Sequence, residues 1–404
     1  MTRRTRLSLG AMLVALAVSV TAAALASTAA TPGVTAKTVT IGGTFPLTGP
    51  AQLYATIPSA ENAYFKYVNA HGGVNGRRIV FKVYDDQYNP AMTVPLTHKL
   101  VQQDHVFADV GSLGTAPNLA VRDYLNKAGV PQVLVATGDS YWGAQYKKYP
   151  WTIGWQPDYP GEGRVYGAFI ASKVPQAKIG VLIQDDAFGQ NYYDGLVQGL
   201  GAAKSKIVDV ERYDATQTDV SQQVVKLKAA GANVFALFAI PTQTIDALVV
   251  ATKIGWHPVT FIANISNNLL FMGLAQKSGA DIQNDISTTY VYDVWNNPSS
   301  SVAKTYRSIL AKYDPGANPI DFNNLYGIAV AWTFVQALKD AGNPPTRAGL
   351  MNALTHLDLT NPFLPKGFKL KTTPTDRFPL DQLILEQFKG QTWKPFGHTF
   401  NNAR

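Results

Sequence analysis

The chain has 404 residues, with 35 Lys and Arg against 27 Asp and Glu, a formal charge of +8, 46% hydrophobic residues and no cysteine. The missing cysteine excludes disulfides, thiolate metal sites and cysteine nucleophiles. Lys and Arg are scattered, with runs no longer than pairs such as Arg77-Arg78 and Lys147-Lys148, so the dense basic stripe of a nucleic-acid protein is lacking and no nucleic-acid partner is expected.

The first residues read as an export signal. Arg3, Arg4 and Arg6 are basic, Leu7 to Leu25 is apolar or small, and Ala24-Leu25-Ala26 is an A-x-A cleavage pattern. A signal peptide is therefore predicted over residues 1–26. The product is expected to be soluble in the periplasm or at the cell-envelope exterior. Arg3-Arg4 hints at twin-arginine export, but the rest of that motif is poor. A lipid anchor needs a cysteine at the cleavage site and is not expected. The remaining stretch of roughly 370 residues is long enough for two domains stabilised by core burial alone.

From residue 39 the pattern alternates strand and helix. Val39 to Phe45 is β-branched and apolar and ends in a Gly/Pro/Thr loop. Ser59 to Asn69 carries the i, i+3, i+4 stripe of an amphipathic helix, stopped by Gly72-Gly73. Ile79 to Tyr84, Val106 to Val110 and Val130 to Val135 read as strands, separated by a helix opened by Pro90 and a helix over Asn118 to Lys127. A second series follows. Its strands are Ile179–Ile183, Ile207–Arg212, Val234–Ala239, Val259–Ala263 and Ile286–Tyr292. Its helices are Gly189–Ala203, Val220–Ala230 and Ile245–Ile254. This spacing predicts parallel, doubly wound sheets in two α/β lobes. Helices are then predicted at 302–312, 324–341 and 347–357, followed by a Pro-, Lys- and Thr-rich segment, a strand from Leu383 and a hairpin end from Gly390. No heptad or large apolar helix face is left over, so a monomer is expected.

Catalytic motifs are scarce. There is no P-loop, no G-x-G-x-x-G after the first strand and no H-E-x-x-H, and the six histidines form no ligand pair. Gly138-Asp139-Ser140-Tyr141-Trp142 lacks the second glycine that a nucleophile elbow needs. Asp85-Asp86 is read as turn and helix capping in preference to a metal site. Asp185-Asp186 sits at a strand end, where open α/β sheets bind ligands. Catalytic, cofactor and metal sites are thus not expected. What remains are Gly-, Ser-, Thr- and Asn-rich loops at strand ends, including Ala239 to Gln243 with Ile240, which suit a clamp around a small molecule.

Four segments carry a family resemblance: Thr44-Phe-Pro-Leu-Thr-Gly-Pro, Asn69-Ala-His-Gly-Gly-Val-Asn-Gly-Arg-Arg-Ile, Tyr84-Asp-Asp-Gln-Tyr-Asn-Pro and Ala128-Gly-Val-Pro-Gln. With Asp185-Asp-Ala-Phe-Gly-Gln and Leu325-Tyr-Gly-Ile-Ala, they resemble the leucine/isoleucine/valine-type periplasmic binding proteins, the solute receptors of ABC importers. The resemblance implies a type I periplasmic binding fold with three crossings near 155, 291 and 361. Lobe 1 would be 37–155 plus 294–360, and lobe 2 would be 156–290 plus 362–404. It implies a small-molecule ligand and a membrane permease as partners. By alignment it places a ligand carboxylate at Leu113, Gly114, Thr115 and Ala116, with Thr115 as hydroxyl donor, and the next strand end at Ala136 and Thr137. It places aromatic walls at Tyr54 and Phe188. The loop that normally brings an acid to the ligand ammonium reads Asn264-Ile265-Ser266-Asn267, so Asn264 and Ser266 suit a neutral polar group. A free α-amino acid is therefore a doubtful ligand, unless Asp185 or Asp186 replaces the acid. A carboxylate- or amide-bearing molecule is the expected one. A ligand sensor for a membrane partner and a two-lobed enzyme are the alternatives.

Overall fold

The computed structural model describes residues 31–401; the predicted signal peptide lies outside the described residues. The first series is β1 (Thr38–Phe45), α1 (Thr56–Ala70), β2 (Arg78–Asp85), α2 (Pro90–Gln102), β3 (Asp109–Val110), α3 (Thr115–Lys127), β4 (Gln132–Val135), α4 (Tyr141–Ala144) and β5 (Thr152–Gly154). Its five strands form one parallel sheet in the order β2-β1-β3-β4-β5. The second series is α5 (Tyr159–Lys173), β6 (Ile179–Gln184), α6 (Ala187–Leu200), β7 (Ile207–Tyr213), α7 (Ser221–Ala229), β8 (Val234–Phe238), α8 (Pro241–Lys253), β9 (Val259–Ile262), α9 (Leu269–Lys277) and β10 (Ile286–Thr289). After it come α10 (Ser301–Tyr313), α11 (Phe322–Asp340), α12 (Arg347–Leu354), β11 (Asp358–Leu359), β12 (Leu370–Lys371), β13 (Leu383–Lys389) and β14 (Thr392–Phe400). The second sheet runs β14-β13-β10-β9-β8-β6-β7, with β13 antiparallel to both its neighbours and all other pairs parallel.

Local chemistry sets the helix starts. Asn89, Asp158, Asp186, Asn268, Ser300, Asp321 and Thr346 each accept a backbone N–H in the first turn of α2, α5, α6, α9, α10, α11 and α12. Each satisfies a donor that the helix cannot pair itself. α11 is buried along most of its length, including Leu325, Ile328, Ala331 and Phe334, because α1 and α12 pack against it. Arg347 fastens α12 to the first sheet through the carbonyls of Val106 and Phe107.

Several expectations shift. The strand expected over 106–110 pairs only at Asp109–Val110, and helix α5 replaces an unassigned stretch. From residue 361 onward, Asn361 Nδ2 donates to the Ala329 carbonyl in α11, Thr372 Oγ1 to the Leu354 carbonyl in α12 and Arg377 Nη1 to the Pro150 carbonyl before β5. Phe378 also packs against Gly143.

In each sheet the strand order reverses once, between β1 and β3 and between β6 and β8. The loops beyond those carboxyl ends cannot cover the gap between diverging connections, which is where open α/β sheets hold ligands. The two reversal points face one cavity.

Candidate functional site

A cavity of about 40 Å³ lies where the two reversal points meet. From the first series come Tyr54 and Ile57, beyond β1, and Tyr88, Leu113, Gly114 and Ala136 from later loops. Phe188 at the start of α6, Ile240 after β8 and Ile265 after β9 close the opposite side. Gln156 follows β5, Tyr159 opens α5, Tyr290 follows β10, and Phe322, Asn323 and Tyr326 come from the first turns of α11. Seven of the lining residues are Tyr or Phe. Their rings are held by one another. Tyr159 meets Phe188 edge-on at 5.1 Å and stacks on Tyr192 at 4.6 Å, while Trp155 sits edge-on to Tyr326 at 5.2 Å. Such contacts fix ring orientation beyond what burial supplies.

The predicted residues divide into two layers. Tyr54, Leu113, Gly114, Ala136, Phe188 and Ile240 line the cavity. Thr115, Thr137, Asn264 and Ser266 are buried one layer back, and Ala116 is half-buried beside them. Thr115 and Thr137 pair hydroxyl to hydroxyl at 2.5 Å. Asn264 Nδ2 donates to Thr288 Oγ1, and Ser266 Oγ donates to the Ala239 carbonyl at 2.7 Å. These side chains are turned inward because buried hydroxyl and amide groups need partners, and the strand ends supply them. The N–H groups of Thr115 and Ala116 make no hydrogen bond among the described residues, as the first donors of a helix do not. Gly114 gives them room: its φ of +103° is left-handed, and a Cβ there would meet the Tyr88 ring at 2.6 Å.

Tyr88, Tyr159, Tyr290, Phe322, Asn323 and Tyr326 escaped the sequence reading. Tyr88 follows the Asp85-Asp86 pair, and Phe322 follows the Asp321 cap of α11. An aromatic just beyond a capping or turn aspartate is the signal that could have marked them.

No carboxylate lines the cavity among the described residues. Asp185 is exposed and paired with Arg212 at 3.1 Å. Asp186 Oδ1 accepts the N–H groups of Phe188 and Gly189, and its Oδ2 accepts from Gln184. Asp85 and Asp86 are likewise spent on loop N–H and hydroxyl groups, among them those of Leu47, Tyr88 and Thr93. Behind Asn264 lies a buried acid, Glu162. Its carboxylate accepts from the Tyr166 and Tyr192 hydroxyls and from the Asn264 N–H at 2.8 Å. Burial pushes its pKa up to about 7, against the opposing pull of those donors.

The two sides of the cavity are bonded together. Tyr54 Oη donates to the Ile265 carbonyl at 3.2 Å, Thr242 Oγ1 to the Pro50 carbonyl at 3.0 Å and Asn268 Nδ2 to Asp321 Oδ1 at 2.5 Å. Among the described residues no group of three His, Asp or Glu is placed to hold a metal ion, and no helix is long and apolar enough to cross a membrane.

The chain is similar in sequence and fold to known proteins. The chain is 24% identical over 323 residues to a Leu/Ile/Val-binding protein homolog of Brucella suis, covering 79% of this chain and 83% of that one. It is 28% identical over 198 residues to the leucine-, isoleucine-, valine-, threonine- and alanine-binding protein of Pseudomonas aeruginosa, covering 48% and 52%. Among solved structures, a branched-chain amino acid ABC transporter protein from Thermus thermophilus with bound valine superposes with a TM-score of 0.78 at 19% identity, over 90% of this chain and 97% of that one. A fatty acid ABC transporter substrate-binding protein from Thermomonospora curvata superposes with a TM-score of 0.77 at 20% identity, over 92% and 94%. The periplasmic binding protein family matches residues 38–383, and the chain belongs to that family.

Proposed function

We propose that the chain is an exported receptor of an ABC importer, and that it closes around a small carboxylate- or amide-bearing molecule with an apolar or aromatic body. No covalent step is needed. Two lobes, 37–155 plus 294–360 and 156–290 plus 362–404, move about three crossings, with a membrane permease as the partner.

The observation that carries the ligand class is the cavity lining: seven aromatic rings and no carboxylate. An alkylammonium buried there would lack a counter-charge, which costs several kcal/mol. An oxygen anion would not, because the unpaired N–H groups at the start of α3 suit it. The fold itself decides nothing between the classes, since it serves a fatty-acid receptor in Thermomonospora curvata and holds valine in the Thermus thermophilus protein.

Calorimetry with leucine, N-acetyl-leucine and 4-methylpentanoate tests the ligand class. The two compounds without an ammonium should bind more tightly than leucine. Micromolar binding of leucine that is lost on N-acetylation would overturn it.

A further inference from the structure

A second cavity, also of about 40 Å³, lies behind the Asn267–Asn268 turn, separated from the first by the Phe322 ring that walls both. Its chemistry is different. Two carboxylates, Glu386 on β13 and Asp293 after β10, line it together with the indoles of Trp295 and Trp393. Glu386 is only 6% exposed. Its Oε1 accepts from Asn267 Nδ2 at 2.7 Å, and its Oε2 accepts no hydrogen bond among the described residues. No Lys, Arg or His is ion-paired with Glu386 among the described residues. Asp293 is half-buried and uses its oxygens on the Trp295 and Asn296 N–H groups and the Asn296 amide, which fixes the carboxylate against the cavity.

A carboxylate buried without a cation is costly, and burial together with the neighbouring Asp293 charge holds the Glu386 carboxyl well above the usual carboxylate range. Indole faces attract cations. Trp393 is held by donating its Nε1–H to the Asn267 carbonyl at 2.6 Å, and Trp295 by donating to the Pro319 carbonyl at 3.1 Å and stacking on Phe322. Both rings are therefore set in place before any occupant arrives. A cavity of this size admits a few water-sized groups and so the head of a small organic cation, not a large one.

We propose that this second cavity binds a small primary alkylammonium ion, its charge set against Glu386 and Asp293 and its carbon between Trp295 and Trp393. The site is separate from the cleft ligand and does not depend on what that ligand is. Its roof is the same turn whose next residue, Asn268, bonds across to Asp321.

The test is a ligand-observed saturation-transfer titration of the full chain with methylammonium chloride, matched against sodium chloride at equal ionic strength. Wild type should show saturable transfer to the methyl protons, with a dissociation constant on the order of millimolar for so small a ligand. Glu386→Gln should weaken binding at least tenfold. Tetramethylammonium should bind at least tenfold more weakly than methylammonium, because it is too bulky. If Glu386→Gln fails to fold, Asp293→Asn serves in its place, with a several-fold loss expected. Absence of saturable transfer, or equal transfer in wild type and a folded carboxylate variant, would overturn the proposal.

Discussion

Asn268 Nδ2 donates to Asp321 Oδ1 at 2.5 Å, so the residue that caps α9 in the second series also bonds the residue that caps α11. Asp321 is buried, caps α11 through the Asn323 N–H and accepts the Thr56 hydroxyl on its other oxygen. Asn268 Oδ1 receives the N–H groups of both Leu270 and Phe322. A charge-assisted bond of this kind contributes about 1.5–3 kcal/mol. If the lobes hinge, that energy belongs to the closed state. Asn268→Ala should raise the radius of gyration in small-angle scattering without ligand and weaken ligand binding about tenfold or more. A variant whose radius matches wild type, with and without ligand, would show that this contact does not hold the lobes shut.

Helices α5 and α6 touch backbone to backbone. A Cβ on Gly163 or Gly167 would meet the carbonyls of Tyr192 or Leu196 at 2.4 Å, and one on Gly195 or Gly199 would meet those of Pro160 or Arg164 at 2.2 and 2.1 Å. Backbone cannot move aside as a side chain can. Gly167→Ala and Gly199→Ala should each destabilise the chain by about 1–3 kcal/mol, the usual cost of overpacking, in spite of alanine's better helix propensity. Urea unfolding checks this, and a stabilised variant would mean that the helices have room to part.

The same glycines explain what the sequence concealed. Pro160, Gly161, Gly163 and Gly167 leave α5 without a readable helical pattern, because propensity is a local quantity and the reason for those glycines is another helix. The parallel strands were legible because burial on both faces leaves continuous β-branched runs, as in Ile179–Ile183 and Val234–Ala239. Six predicted site residues lie on the cavity surface and five lie beside or behind it. Strand-end position was readable from the residues; which way a threonine or asparagine turns was not, because that depends on partners such as Thr137 and Thr288, distant in sequence. The Phe322 and Tyr326 walls come from α11, which begins far along the chain and packs back against α1, and no local pattern reports such a return.

Glu162 predicts a pH dependence. Burial raises its folded pKa to about 7 from the ordinary glutamate value of 4.5. A raised acid binds more protons folded than unfolded, so its contribution to stability is full below pH 4.5 and is lost as the pH rises through about 7. Asp86 and Asp139, raised to about 6 by burial, act in the same direction. Unfolding free energy should fall between pH 5 and pH 8, with up to about 3 kcal/mol of the loss due to Glu162. Glu162→Gln keeps an oxygen for the Asn264 N–H and should flatten that slope. An equally steep slope in the variant would move the effect to another acid.

The start of α3 carries the last prediction. Thr115 Oγ1 shares its short bond with Thr137 Oγ1, while the N–H groups of Thr115 and Ala116 stay unpaired beside cavity-lining Gly114. A ligand oxygen arriving there would meet two backbone donors and a hydroxyl that can turn, because a hydroxyl rotates to suit its partner. If that oxygen is charged, the donors act together with the helix end, where anions are favoured. Thr115→Val keeps the shape and removes the hydroxyl, leaving Thr137 without its partner. Ligand binding should weaken by about 1–3 kcal/mol, the loss expected for one hydrogen bond to a charged group. A Thr115→Ser variant should restore most of it, which separates the hydroxyl from the packing of the methyl. Calorimetry on the three proteins with one carboxylate ligand gives the answer. Equal affinity in wild type and Thr115→Val would leave the backbone donors as the only contribution of this turn.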